Sequence, residues 1–135
     1  MPSHELVYFD LTGRGEAIRI LLSAAGVDFK DTRYTFAQWP EIKPTVPLGQ
    51  LPVLKVDGKD YVQSMALTRY AGKLAGWYPS DPLAALICDE AAETMSEMMA
   101  KIPHVRQMTG AFDAIVTDGN VLGFRLSHTA FRICR

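Results

Sequence analysis

The sequence is short of the features that mark several large functional classes. Of its 135 residues only two are cysteines, Cys88 and Cys134, and they lie far apart with no CxxC pair. One disulfide is the most they could form, so neither a secreted disulfide framework nor a dithiol redox motif is present. An excess of charge is missing too. Fourteen Lys and Arg stand against 15 Asp and Glu, a formal net charge of -1, so bulk electrostatics favour neither nucleic acid nor an anionic membrane. The three histidines, His4, His104 and His128, stand alone without metal-ligand spacing, and no metal site is expected. No apolar run approaches the ~18 residues needed to span a bilayer. The opening Met1–Glu5 lacks the basic start and apolar stretch of a signal peptide. A cytoplasmic protein is expected, in which any anionic ligand is held by local groups.

What remains is ordinary for a globular chain: 48% hydrophobic and 21% charged residues, with no internal repeat and no low-complexity tract. The length suits one domain with a real core and is short for two.

Leu6-Val7-Tyr8-Phe9 is short, β-favouring and bounded by Glu5 and Asp10, which reads as a strand. After a break at Thr12–Gly15, the residues Ala17, Ile18, Leu21, Leu22 and Ala25 recur at helical spacing, and Gly26 supplies a stop. Phe29–Tyr34 alternates as a second strand, completing a β-α-β unit. Trp39, Pro40, Pro44 and Pro47 crowd the next stretch, leaving an irregular segment with room for one helical turn. Pro52–Val56 and Lys59–Gln63 flank Asp57-Gly58, a strong hairpin signal. Ser64 is a suitable N-cap for a helix running to about Ala75 and stopped by Gly76. The order β-α-β, link, β-β-α implies a mixed sheet with helices on its faces.

A second region begins near Asp81-Pro82, an N-cap followed by proline at the first helical position. Leu83, Leu86, Ile87, Ala91, Met95, Met98 and Met99 keep a helical period as far as Ile102, and Pro103 ends it. A methionine-rich stripe of this kind belongs to a core or a subunit interface rather than to catalysis. Residues 103–135 show no period that assigns them a structure.

Candidate sites compete with plainer readings. Gly13-Arg14-Gly15 suggests a dinucleotide loop, but position 18 is Ile where the third glycine would stand, and no acidic residue is placed for a ribose. Tyr8 sits near a strand end, where sheets present chemistry to crevices, although a strand tyrosine by itself more often packs a core. Gln63-Ser64 lies where a strand hands over to a helix. That is an ordinary cap or, alternatively, a seat for a carboxylate at the positive end of the helix.

Taken as a set, the motifs are specific. Tyr8, the Gly13-Arg14-Gly15-Glu16 helix start, Trp39-Pro40-Glu41-Ile42-Lys43, Gly49-Gln50-Leu51-Pro52-Val53-Leu54, Gln63-Ser64 and Met65–Tyr70 resemble the glutathione transferase family in order and spacing. The likeness is greatest to its sigma class, which includes haematopoietic prostaglandin D synthases. It runs from Met1 to about Pro103.

The resemblance implies a thioredoxin-like α/β domain over residues 1–79, then a truncated all-helical region over 80–135 with one clear helix, 82–102. It implies a cytoplasmic detoxification enzyme that conjugates glutathione to a small hydrophobic electrophile, acting as a homodimer and needing no cofactor beyond glutathione as co-substrate. Tyr8 would activate the thiol, and Arg14 would add positive potential. Gln63 and Ser64 would take the γ-glutamyl end, and the backbone of Leu51 before a cis Pro52 would pair with the cysteinyl part. Trp39 and Lys43 would hold the glycine carboxylate, with Gln50 standing where some relatives carry a second lysine. Glu97 would reach the glutathione of a neighbouring subunit. The tail departs from the family's later helices, which supply most of the wall around the electrophile. The alternative is therefore a glutathione-binding, non-catalytic or truncated module without a complete electrophile site.

Overall fold

The structure, a computed structural model, describes residues 1–101. The chain falls into two units that part after Ser80. Pro103, expected to close the last helix, lies outside the described residues, as does the tail with His104, His128 and Cys134.

In the first unit, strand β1 (His4–Phe9) leads through helix α1 (Gly13–Ala24) into strand β2 (Phe29–Tyr34). The two strands run parallel, with Leu6 facing Asp31 and Tyr8 facing Arg33. A parallel pair requires such a crossover. Strands β3 (Val53–Val56) and β4 (Lys59–Val62) follow, and the sheet order is β2-β1-β3-β4, with β3 antiparallel to both neighbours. Asp57 at φ 50 and Gly58 at φ 78 form the turn between them, left-handed at both central positions as a two-residue hairpin demands. Ser3 ties the chain's start to this turn, its N–H donating to Asp57 Oδ1 at 2.8 Å.

Helix α3 (Ser64–Leu74) completes the unit. Leu6, Ile18, Leu22, Leu54, Leu67 and Ala71 form the buried cluster, so α1 and α3 cover the same face of β1 and β3. Burying each Leu or Ile contributes about 1.5–3 kcal/mol, and this cluster fixes the sheet to which the site is attached.

The expected irregular link is finer than one helical turn. It consists of a four-residue helix α2 (Trp39–Ile42) and two 3-10 turns, Lys43–Thr45 and Pro47–Gly49. Pro40, Pro44 and Pro47 each occupy the first or second position of one piece, where no N–H is needed. Any longer helix would lose bonds at each proline.

The start of α3 also differs from expectation. Ser64 is the first helical residue and Gln63 the cap, because the Gln63 carbonyl accepts the Leu67 N–H at 3.0 Å. Gln63 holds φ 77, ψ 100 without a side-chain capping bond, a conformation of the kind that collects at functional sites.

The second unit contributes helix α4 (Pro82–Lys101). Its start is as the sequence implied: Asp81 Oδ2 accepts the Ala84 N–H at 2.8 Å. Leu83, Leu86 and Met95 are exposed along it. Among the described residues no helix is long and apolar enough to cross a membrane, and no group of three or more His, Cys, Asp or Glu could hold a metal ion.

Candidate functional site

Register assembles the site. Val7 faces Val53, and Val53 faces Val62. One step further along, Tyr8, Pro52 and Gln63 fall in a single row at the same end of the sheet. The Leu51-Pro52 peptide bond is cis, and Pro52 is buried. Ser64 opens α3 directly beyond this row, where the first N–H groups of a helix lack acceptors within it.

Tyr8 is 7% exposed. Its ring rests on the start of α1, where glycine is a steric requirement. A Cβ at Gly15 would stand 2.4 Å from Tyr8 Cδ1, and one at Gly13 would stand 2.9 Å from Tyr8 Oη. Gly13 also holds φ +54, a conformation that L side chains rarely adopt. The glycines that hinted at a nucleotide loop are thus the seat of a phenol.

The Arg14 backbone N–H donates to Tyr8 Oη at 3.1 Å. A phenol oxygen that accepts in this way keeps its own O–H free to donate. Burial pushes the Tyr8 phenol above the ordinary 10.0, while the Arg14 N–H and the charges of Arg14 and Arg19 pull the other way. Tyr8 therefore stays protonated through the neutral range.

Arg19 is a residue that periodicity did not single out. It is 6% exposed, with its guanidinium carbon 5.7 Å from the Tyr8 ring centroid. Nε reaches both Asp31 oxygens at 3.1 Å, Nη1 donates to Leu11 O at 2.9 Å and Glu16 Oε2 at 3.0 Å, and Nη2 donates to Phe9 O at 3.3 Å. One cation thus ties the end of β1 to α1 and β2. The available signal was an arginine beside Ile18 on a helix face otherwise apolar, with an acid on the following strand.

Phe9 follows Tyr8 at the end of the strand, and the two rings meet edge to face with centroids 5.6 Å apart. The Phe9 ring also stacks on Phe36 at 4.8 Å and meets Trp39 edge-on at 5.2 Å. Trp39 is half-buried and Lys43 exposed. The Lys43 side chain lies along Gly49, where a Cβ would sit 3.4 Å from its Cγ and Cε, which brings Lys43 beside Gln50 and Leu51. Arg14, Gln50 and Gln63 are exposed, and Leu51 and Ser64 half-buried. Glu97 is exposed on α4, in the other unit.

A four-stranded mixed sheet in this order, with two helices on one face, is a thioredoxin-like domain. Residues 4–73 match the N-terminal domain of glutathione S-transferases, and the chain belongs to that family. Relatives include haematopoietic prostaglandin D synthase of Gallus gallus, 39% identical over 87% of this chain and 61% of the relative. A glutathione S-transferase of Anopheles gambiae is 40% identical over 76% of this chain and 50% of the relative. The solved structure of prostaglandin synthase D of Nilaparvata lugens superposes with a TM-score of 0.71 at 44% identity, covering 75% of this chain and 51% of that one. The chain spans about half to three-fifths of the length of such relatives.

Proposed function

We propose that this chain binds glutathione at the end of the sheet and, through Tyr8, holds its sulfur as a thiolate for attack on a small hydrophobic electrophile. The observation that carries this reading is the Arg14 N–H to Tyr8 Oη bond. It occupies an acceptor position of the phenol and leaves the proton for a ligand. A free thiol has a pKa of ~8.5 and is only a few per cent ionised at pH 7. A donor that lowers this by two units supplies ~2.7 kcal/mol of preference for the anion.

The tripeptide would lie along the row of Tyr8, Pro52 and Gln63. Its γ-glutamyl carboxylate meets Ser64 and the N-terminus of α3, with Gln63 alongside. The cysteinyl backbone pairs with Leu51 like a short added strand. Trp39, Lys43 and Gln50 take the glycine carboxylate, and Arg14 adds positive potential near the sulfur. No cofactor takes part, and glutathione is the co-substrate.

The finer reading is a sigma-class detoxification enzyme of the cytoplasm, active as a homodimer in which Glu97 of a second copy approaches the glutathione. Leu48 supports an interface: it is 69% exposed and held at φ 58, an apolar side chain in a costly conformation that faces water in a single chain.

The test is a pH titration of bound glutathione by ultraviolet absorbance of the thiolate. An apparent pKa well below that of the free thiol is expected, and a bound thiol titrating like the free one removes Tyr8 activation. Binding with a lowered pKa but no conjugation of any electrophile would support the non-catalytic module.

A further inference from the structure

Residues 35–50 hold no buried side chain, yet they carry both Trp39 and Lys43. A segment with so little core of its own opens readily unless something pins it. At its entrance Thr35 donates from N and Oγ1 to Gln38 Oε1 at 2.9 and 3.0 Å. Beyond that, Phe36 and Trp39 share one anchor outside the segment, the Phe9 ring, stacked by Phe36 at 28° and met by Trp39 at 70°. The Trp39 N–H also donates to Phe36 O at 3.3 Å. Phe36 and Trp39 are therefore two ends of one turn closed on a single ring, and that ring belongs to the residue after Tyr8 and meets the Tyr8 ring edge to face at 5.6 Å.

Phe36 is 59% exposed, so burial alone gives its ring little reason to lie where it does. We infer that Phe36 is a positioning residue. By covering one face of Phe9 it fixes that ring and, through it, the Trp39 indole in the orientation that receives the glycine carboxylate. This rests on the role given above to Trp39.

The experiment measures glutathione affinity and bound-thiol pKa in Phe36→Ala, Phe36→Leu, Phe36→Tyr and Trp39→Ala. Phe36→Ala is expected to raise Kd by about three- to tenfold, the range of one lost aromatic pair. The thiol pKa should move far less than the affinity, because the Arg14 N–H bond to Tyr8 Oη and the glycines beneath the Tyr8 ring do not depend on Phe36. Phe36→Tyr keeps a ring and should restore affinity, whereas Phe36→Leu should behave like Ala. In a Trp77→Phe background Trp39 is the sole tryptophan, and acrylamide should quench it more strongly in Phe36→Ala before any ligand is added. A Kd within about twofold of wild type in Phe36→Ala, beside weakened binding in Trp39→Ala, overturns the positioning role and leaves the glutathione reading standing. Rescue by Leu or unchanged quenching overturns it as well. Trp39→Ala without effect overturns both.

Discussion

Gly15 and Tyr8 are packed so closely that a single added carbon does not fit: a Cβ at position 15 would lie 2.4 Å from Tyr8 Cδ1 and 2.7 Å from Cγ. In an ordinary helix Gly→Ala stabilises by up to about 1 kcal/mol. Overpacking a filled core costs about 1–3 kcal/mol, so the steric term wins here. Gly15→Ala is expected to lower the thermal midpoint and, by displacing the ring, to raise the pKa of bound glutathione. Circular dichroism melting reads the first effect and thiolate absorbance the second. A variant more stable than wild type would mean that the ring yields without cost.

Tyr8→Phe keeps the ring that fills the space over Gly13 and Gly15 and removes only the hydroxyl. The fold should survive. Glutathione affinity is expected to change little, while the bound thiol's pKa rises by about two units, ~2.7 kcal/mol of lost anion stabilisation. Calorimetry and the absorbance titration separate the two, and an unshifted titration in this variant takes Tyr8 out of the mechanism.

The acids around Arg19 should not be equivalent. Asp31 is 25% exposed at its side chain and Glu16 38%. Removing one partner of a buried charge is costly, about 3 kcal/mol for Asp31→Ala, whereas Glu16→Ala should cost under about 1 kcal/mol. Urea unfolding of the two variants checks the ranking, which equal losses would contradict.

Stability should fall at both ends of the pH scale. Burial raises the Tyr8 and Tyr70 phenols above 10.0, so above that value the unfolded chain releases these protons first. Their contribution is complete below pH 10 and is lost as pH climbs through the folded values, more of it from the buried Tyr8 than from the more exposed Tyr70. Glu5 behaves oppositely. Its carboxylate accepts from Thr32 Oγ1 at 2.6 Å and from Lys30 Nζ at 3.0 Å, and these bonds lower it from 4.5. That contribution is present above 4.5 and lost as pH falls through the folded value. Denaturant midpoints across pH should show both slopes, with the alkaline one shallower in Tyr8→Phe.

Local signals carried most of the fold. The period of α1, the alternation of β2, the Asp57-Gly58 turn and the Asp81 cap each sit within a few residues of the structure they cause, and each is readable without knowing the rest. What escaped was non-local. Arg19 looks like a solvated helix residue until Asp31, Leu11 and Phe9 converge on it from outside the helix. Phe36 looks like surface until Phe9 arrives beneath it. The α3 start shifted by one residue because Gln63 takes a backbone conformation that side-chain preference does not favour. For the site, motif order pointed to Tyr8, Pro52 and Gln63, while strand register supplied the reason they stand in one row.

The place of Tyr8 in β1 sets its ring over the paired glycines and its oxygen at the Arg14 N–H, and this has an evolutionary consequence. Strand side chains alternate, so a slip of β1 by one residue would turn Val7 or Phe9 toward the glycines instead. The hydroxyl would then lose the Arg14 N–H. Changes of chain length in this lineage should therefore accumulate in the link and the turns, leaving the spacing from β1 to Gly15 untouched.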